Sequence, residues 1–293
     1  MSTTPLNQIT LIGVGLIGGS FALDLKRKGL VRHVVGVDVN RQNLERALER
    51  KVIDETAQGI QPQSIAASDL VLIATPVATL PAICTELAPL LSAQTIVSDV
   101  GSTKQSAIQA FARYLPAHLP NCVAAHPIAG SDRHGALAAK FGLYEGKKLI
   151  LCPHEQQNPV ALDLMQSLWQ AVGAHTFIMP AEEHDAIFAA VSHMPHVLAF
   201  SYVHQIKDHA DGQLYLDFAA SGFRDFTRIA SSHPAIWTDI CLANRQGLLD
   251  LIAGQRAQLD TVQRLLETGD SESLYRYFEE AKATRDDWLD KQS

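Results

Sequence analysis

Apolar positions in the first 180 residues switch between two periods. Short runs at Ile9–Ile12, Val34–Val37, Asp69–Ala74, Thr95–Ser98 and Cys122–Ala125 are apolar enough for buried strands. Ser20–Lys28, Arg41–Lys51, residues 77–91, Thr103–Leu115 and Pro159–Val172 instead space their apolar residues as helices do. Leu149–Cys152 and His175–Met179 are expected to be late edge strands. Such alternation predicts a mainly parallel, doubly wound sheet of the Rossmann type. Ligands of that architecture bind beyond the carboxyl ends of the strands. The segments directly after each strand are therefore the ones to read for chemistry.

The pattern changes at Pro180, which divides the chain into an α/β part, 1–179, and an all-helical part, 180–293. Ala181–Val191, Val197–His209, Pro234–Glu267 and Ser271–Leu289 have helical spacing, the last opened by a Ser-x-x-Leu cap region. An unbroken 234–267 helix would be about 50 Å long at 1.5 Å per residue. Its broad apolar face, with Leu248, Leu251, Leu259 and Leu266, would need a second subunit to cover it.

The first strand runs into Gly13-Val-Gly15-Leu16-Ile17-Gly18, which fits a dinucleotide fingerprint. Gly13 permits the tight turn, Gly15 lets backbone approach a pyrophosphate, and Gly18 lets the next helix pack against the sheet. That helix offers unpaired N–H groups and partial positive charge to the phosphates. Asp38, twenty residues after Gly18, ends the second strand and suits the adenosine ribose hydroxyls, favouring NAD. Arg41 lies just beyond it and could hold a 2′-phosphate, which keeps NADP open. Thr75-Pro76, after another strand, borders the same expected cleft.

Composition narrows the rest. The 293 residues give room for two domains and a sizeable core, and 47% hydrophobic residues mark an ordered globular chain. A formal net charge of −7 without basic blocks excludes a nucleic-acid surface. No apolar run reaches the ~18 residues of a membrane span, and the N-terminus has no signal-peptide pattern. Cys84, Cys122, Cys152 and Cys241 are far apart and form no C-x-x-C, as expected of free thiols in the cytoplasm.

Four segments could carry chemistry. In Asp99-Val-Gly-Ser-Thr-Lys104, Ser102 is a hydrogen-bonding group at a strand end, although Ser102 or Thr103 could equally cap the next helix. His126, before Pro127, is placed to accept a proton or to be a structural histidine, and position alone leaves both readings open. Ser192-His193-Met-Pro-His196 has no acid or thiol at metal-ligand spacing, so no metal is expected, and His196 is read as a polar group at a helix entry. Arg224 and Arg228 are four apart and suit carboxylates, or pair on the surface with Asp225 and Asp217.

Taken together, residues 13–20, 99–104, 126–131, Leu143-Tyr-Glu-Gly-Lys-Lys148, 191–196 and Gly222-Phe-Arg-Asp-Phe-Thr-Arg-Ile-Ala230 resemble the prephenate and arogenate dehydrogenase family over nearly the whole chain. The resemblance implies NAD-dependent oxidative decarboxylation of prephenate, in a homodimer joined through the helical half. It implies that His126 hydrogen-bonds the substrate's ring hydroxyl, oriented with Ser102, and that Arg228 anchors a substrate carboxylate. It further implies that His196 lines the pocket, that Asp185 is an acid near the site, and that Trp237 closes the pocket. Asp132, at the pocket entrance, would suit the ammonium group of arogenate. An arogenate-specific dehydrogenase is the alternative within the family. One rival outside it, a β-hydroxyacid dehydrogenase, would want a catalytic lysine at the start of the helical half, and residues 181–196 contain none. A non-enzymatic rival, a nucleotide-sensing regulator that keeps the fold, would not need Ser102, His126 and Arg228 all intact.

Overall fold

The computed structural model describes residues 5–130 and 135–291. By their contacts the residues form two units, 1–244 and 245–293. In the first unit an eight-stranded sheet is wound as β1 (Leu6–Ile12), α1 (Leu16–Arg27), β2 (Val31–Val37), α2 (Arg41–Glu49), β3 (Glu55–Ala57), α3 (Pro62–Ile65) and β4 (Leu70–Ile73). It continues through α4 (Leu80–Leu87), β5 (Ile96–Asp99), α5 (Gln105–Tyr114), β6 (Cys122–Pro127), β7 (Lys148–Cys152), α6 (Pro159–Ala171) and β8 (His175–Ile178). The strand order is β3-β2-β1-β4-β5-β6-β7-β8. All neighbours are parallel except β6 and β7, which are antiparallel.

Alternate residues of each strand feed two separate cores. Leu11, Leu70, Leu72, Val123 and Leu149 join one, with Phe21, Tyr144 and Trp169. Ile12, Val71, Ile73, Ala124 and Ile150 join the other, with Leu80, Leu87 and Phe111. A period of two with both faces covered explains why these strands read as continuous apolar runs. The chain order reverses between β1 and β4, which opens a crevice at their carboxyl ends.

Two sheet expectations need correction. β3 was not foreseen: its three residues are polar or small and sit at the sheet edge. β7 is not an edge strand, since it lies between β6 and β8.

Among the described residues the first unit continues with five further α-helices: α7 (Ala181–Phe188), α8 (Met194–Lys207), α9 (Gly212–Asp217), α10 (Ser221–Thr227) and α11 (Pro234–Ala243). α7 and α8 are not separate, as the sequence suggested. A π-helical stretch over Ala189–His193 joins them, in which Met194 N–H bonds the carbonyl of Ala189. This wider turn ends just before Pro195, which has no N–H to donate. The joined stretch, Ala181–Lys207, is long and apolar enough to cross a membrane by length and composition. It carries Asp185, whose carboxylate is hydrogen-bonded to the start of α5.

The long helix expected over 234–267 is broken. α11 ends at Ala243, and Asn244 (φ −110°, ψ 34°) leaves helical geometry. Its side-chain amide reaches the carbonyl of Asp185 (2.7 Å) and Nδ1 of His193 (3.2 Å).

The second unit comprises α12 (Arg245–Thr268) and α13 (Ser271–Asp290). α13 is capped by Asp270, whose carboxylate accepts from Ser273 N–H, rather than by its serine. Large apolar side chains of these helices are exposed, among them Leu259, Leu266, Phe278 and Trp288.

Candidate active site

The crevice between β1 and β4 is a cleft of about 820 Å³. Gly13, Gly15, Leu16 and Ile17 form one wall, with Asp38, Thr75, Pro76 and Ser102 around them. Gly13 has φ +87°, and a Cβ there would lie 2.7 Å from the carbonyl oxygen of Ala74. Only glycine takes this turn without strain. A Cβ on Gly15, by contrast, would meet nothing within 4 Å, because its Cα faces the open cleft. Gly15 is also the N-cap of α1, and among the described residues no side chain or first-turn acid satisfies that helix end. Unspent N–H groups beside open space fit the pyrophosphate of a dinucleotide. Gly18 does not line the cleft. It lets α1 approach β1, since a Cβ would fall on Leu11 and 2.8 Å from the Cβ of Ala74.

Asp38 stands at the opposite end of the glycine loop and is held by three donors. Oδ2 accepts from Val14 N–H (3.2 Å) and from the Asn43 amide (2.8 Å), and Oδ1 accepts from Asn40 N–H (2.8 Å). Asn43 also donates to the carbonyl of Val14 and accepts from Ala136 N–H, so one amide ties three loops together. Sequence reading passed over Asn43 because a lone asparagine early in a helix carries no motif. Arg41 is exposed, lies outside the cleft lining, and pairs with Glu45 four residues on (3.0 Å).

A chain of buried hydrogen bonds runs beneath the far end of the cleft. The Lys104 ammonium is fully buried, 2.5 Å from Asp99 Oδ2 and 2.6 Å from the carbonyl of Ala125. Asp99 Oδ1 accepts from Ala125 N–H, so this pair fixes the backbone just before His126. The N–H groups of Lys104 and Gln105, at the start of α5, donate to the two carboxylate oxygens of Asp185. Asp185 is also bonded to Nδ1 of its neighbour His184 (2.8 Å). The other nitrogen of His184, Nε2, lies 2.8 Å from Nδ1 of His126. Phe188 packs against both imidazoles, at 4.9 and 4.5 Å between ring centres.

The electrostatics follow from this packing. Burial pushes the imidazole pKa of His126 well below its usual value, and the nearby Lys104 ammonium pushes the same way. Burial also lowers that of His184, against the opposing pull of Asp185. Burial alone would raise the carboxyl pKa of Asp185, but hydrogen bonds from His184, Lys104 N–H and Gln105 N–H outweigh it and hold it low. Asp185 is therefore a carboxylate and both histidines are neutral near pH 7.

His193 is buried too, and burial brings its pKa to about 4. Its Nδ1 faces the Asn244 amide, a donor, so the ring proton sits on Nε2. Among the described residues that buried Nε2 has no hydrogen-bond partner.

His196 stacks on Trp237 with ring centres 3.4 Å apart and planes 18° apart. Its Nδ1 lies 2.8 Å from the Ser192 carbonyl. Burial lowers its pKa, and the Arg228 guanidinium acts in the same direction. His196, Trp237 and Arg228 are thus neighbours, and the residues flanking Trp237 on α11, Ile236 and Ile240, line the cleft. Arg224 instead sits on the surface beside Asp225 (3.6 Å). Asp132 lies outside the described residues.

One assignment changes. Asp185 is not a substrate-facing acid: it is 1% exposed, and both of its oxygens are taken by protein donors. Its bonded neighbour His184 carries no motif of its own in the sequence. A His-Asp pair followed four residues later by Phe188, on a helix due to face β6, was the available signal.

Residues 21–178 match the family described as prephenate dehydrogenase, nucleotide-binding domain, and residues 180–280 match prephenate dehydrogenase, dimerization domain. Prephenate dehydrogenase of Bacillus subtilis is 38% identical over 284 residues, covering 96% of this chain and 76% of that one. Cyclohexadienyl dehydrogenase of Zymomonas mobilis is 30% identical, covering 96% of each chain. The crystal structure of A. aeolicus prephenate dehydrogenase, in complex with hydroxyphenyl propionate and NAD+, superposes with a TM-score of 0.90. It is 32% identical and covers 97% of this chain and 99% of its own. Two matched domains and relatives 30–38% identical over nearly the whole of this chain leave one conclusion: the chain belongs to the prephenate dehydrogenase family of oxidoreductases.

Proposed function

We propose that the protein is an NAD-dependent prephenate dehydrogenase, converting prephenate to 4-hydroxyphenylpyruvate and carbon dioxide in tyrosine biosynthesis. One observation carries this reading. A dinucleotide cleft is bordered by Ser102 and by Ala129–Gly130, which follow His126, and by α11, whose Trp237 stacks on His196. His126, His196, Trp237 and Arg228 lie outside the cleft lining itself but close in the chain or in space to residues that border it, so a substrate ring held beyond the coenzyme would lie toward them.

The glycine loop and Asp38 would hold NAD in the cleft, where it would supply the acceptor for the hydride of the hydroxyl-bearing ring carbon. The chain's own residues do the rest. Neutral His126 accepts the hydrogen bond of the ring hydroxyl and takes up the positive charge that develops there. Ser102 orients that hydroxyl. Arg228 binds a substrate carboxylate and holds the ring in register, while His196 and Trp237 give it a flat surface. Departure of carbon dioxide aromatises the ring, which drives the reaction.

We assign coenzyme binding to residues 1–179 and substrate closure and pairing of subunits to 180–293. A homodimer through the helical half is supported by the exposed apolar side chains of α12 and α13 and by the name of the matched family domain. We propose arogenate as a second substrate, on the strength of Asp132 in the sequence and of the likeness to Synechocystis arogenate dehydrogenase, 27% identical with a TM-score of 0.81.

Initial rates of reduced-coenzyme formation across prephenate and arogenate, each with NAD and NADP, test the reading. Prephenate with NAD is expected to give the highest kcat/KM. No turnover of either substrate with either coenzyme would overturn it.

A further inference from the structure

Three side chains from two elements stand in line: Asp185 and His184 on α7, then His126 at the end of β6. Their contacts are 2.8 Å each, from Asp185 Oδ1 to His184 Nδ1 and from His184 Nε2 to His126 Nδ1. Each link has one permitted direction. Asp185 is ionised and already accepts from Lys104 and Gln105 N–H, so it can only accept, and His184 Nδ1 must carry the proton. A neutral His184 then has a bare Nε2, which can only accept. The proton of His126 must therefore sit on Nδ1, leaving the lone pair on Nε2.

We propose that His184 is a positioning residue that fixes His126 as the Nδ1–H tautomer, with Asp185 as the fixed end of the chain. The inference rests on the reading of His126 as the acceptor for the substrate hydroxyl. That role needs a bare ring nitrogen aimed at the substrate, and an imidazole free to exchange tautomers would offer an N–H there for part of the time. An acceptor bonded to one nitrogen of a base and backed by a carboxylate sets both tautomer and ring orientation. The charged and titratable groups around the pair agree with a neutral chain. Lys104 and His193 face His126, and Lys104, Asp99 and Asp185 face His184. The Lys104 ammonium opposes protonation of either ring.

Nitrogen NMR of uniformly 15N-histidine-labelled protein reads the tautomer directly, with the His126 signals identified by their loss in His126→Asn. The expected result is a protonated Nδ1 and a bare Nε2 on His126, in wild type near pH 7. A protonated Nε2 there would overturn the proposal, whatever the enzyme's substrate proves to be. Kinetics supply the second arm. His184→Leu removes the acceptor and should lower kcat with prephenate by roughly 10- to 100-fold, with the KM for NAD within twofold of wild type. His184→Gln, whose amide oxygen can accept from His126 Nδ1–H, should recover at least half of that loss on a logarithmic scale and restore the wild-type tautomer. A His184→Leu enzyme with wild-type kcat, or a Gln variant no better than Leu while equally folded, would also overturn it. Absence of turnover in wild type would count against the functional reading alone and leave the tautomer test standing.

Discussion

The ammonium of Lys104 is wholly buried and bonded to Asp99, five residues earlier, across the turn that leads from β5 into α5. The same nitrogen holds the carbonyl of Ala125, and Asp99 holds its N–H, so the two side chains clamp the residue before His126 from both sides. Removing one partner of such a pair leaves a buried charge without compensation, typically at a cost of about 3–5 kcal/mol. Lys104→Met should therefore lower the unfolding free energy by that order, measured by urea denaturation. A loss under about 1 kcal/mol would mean the clamp is not needed for the fold.

Asp38 is held in place by Val14, Asn40 and Asn43 and lines the cleft. A ribose diol can donate to such a carboxylate, and a 2′-phosphate is repelled by it. Asp38→Asn keeps the shape and removes the charge. The ratio of kcat/KM for NAD to that for NADP should fall tenfold or more, about 1.4 kcal/mol of discrimination. An unchanged ratio would take Asp38 out of coenzyme selection.

Two glycines of the fingerprint, Gly15 before α1 and Gly18 within it, should respond to alanine in opposite ways. At Gly18 the added Cβ collides with Leu11 and Ala74, an overpacking that typically costs about 1–3 kcal/mol. At Gly15 it meets nothing in the protein. Gly18→Ala is expected to lower the melting temperature, whereas Gly15→Ala keeps it and raises the KM for NAD. Equal melting temperatures for the two variants would contradict the assignment of packing to one and coenzyme to the other.

Arg228 and His126 should separate binding from chemistry. Charge-assisted hydrogen bonds contribute about 1.5–3 kcal/mol, so Arg228→Ala should raise the KM for prephenate roughly 10- to 100-fold. His126→Asn should instead lower kcat by about 10²–10⁴ with substrate binding retained. Steady-state kinetics on both variants check the split. A KM within twofold of wild type for the first, or an unchanged kcat for the second, would refute the corresponding role.

What the sequence could not announce has a common physical form. β1, the glycine loop and Asp38 were legible because local chemistry dictates them: an apolar run, a turn only glycine takes, and an acid at a strand end. β3 was not, since Glu55-Thr56-Ala57 at a sheet edge shows no alternation. The break at Asn244 was invisible for a different reason. Asparagine is tolerated within helical spacing, and this one leaves the helix for partners some fifty residues away, Asp185 and His193. The same holds for Asp185, whose proximity to the site was foreseen while its partners were not. A carboxylate's role depends on what donates to it, and its donors come from α5, eighty residues earlier.

Acid should disable and destabilise the enzyme in the same range. His126, His184 and His193 all have folded-state pKa values below the unfolded 6.5, His193 at about 4. The unfolded chain therefore binds more protons than the folded one below pH 6.5, and stability falls as pH falls through that region. Above pH 6.5 these residues contribute a constant amount. At about 1.4 kcal/mol per pH unit and proton, His193 alone removes roughly 3 kcal/mol between pH 6.5 and 4. Asp185, held below 3.8, adds a further loss only below that value, as the pH falls through its folded pKa. Urea midpoints should therefore be level from pH 7 to 8 and drop between pH 6 and 4, with His193→Asn flattening part of the drop. The acid limb of kcat should lie below pH 6.5, where His126 gains its proton. A limb above pH 7, or midpoints that rise on acidification, would show that these imidazoles are charged in the native protein.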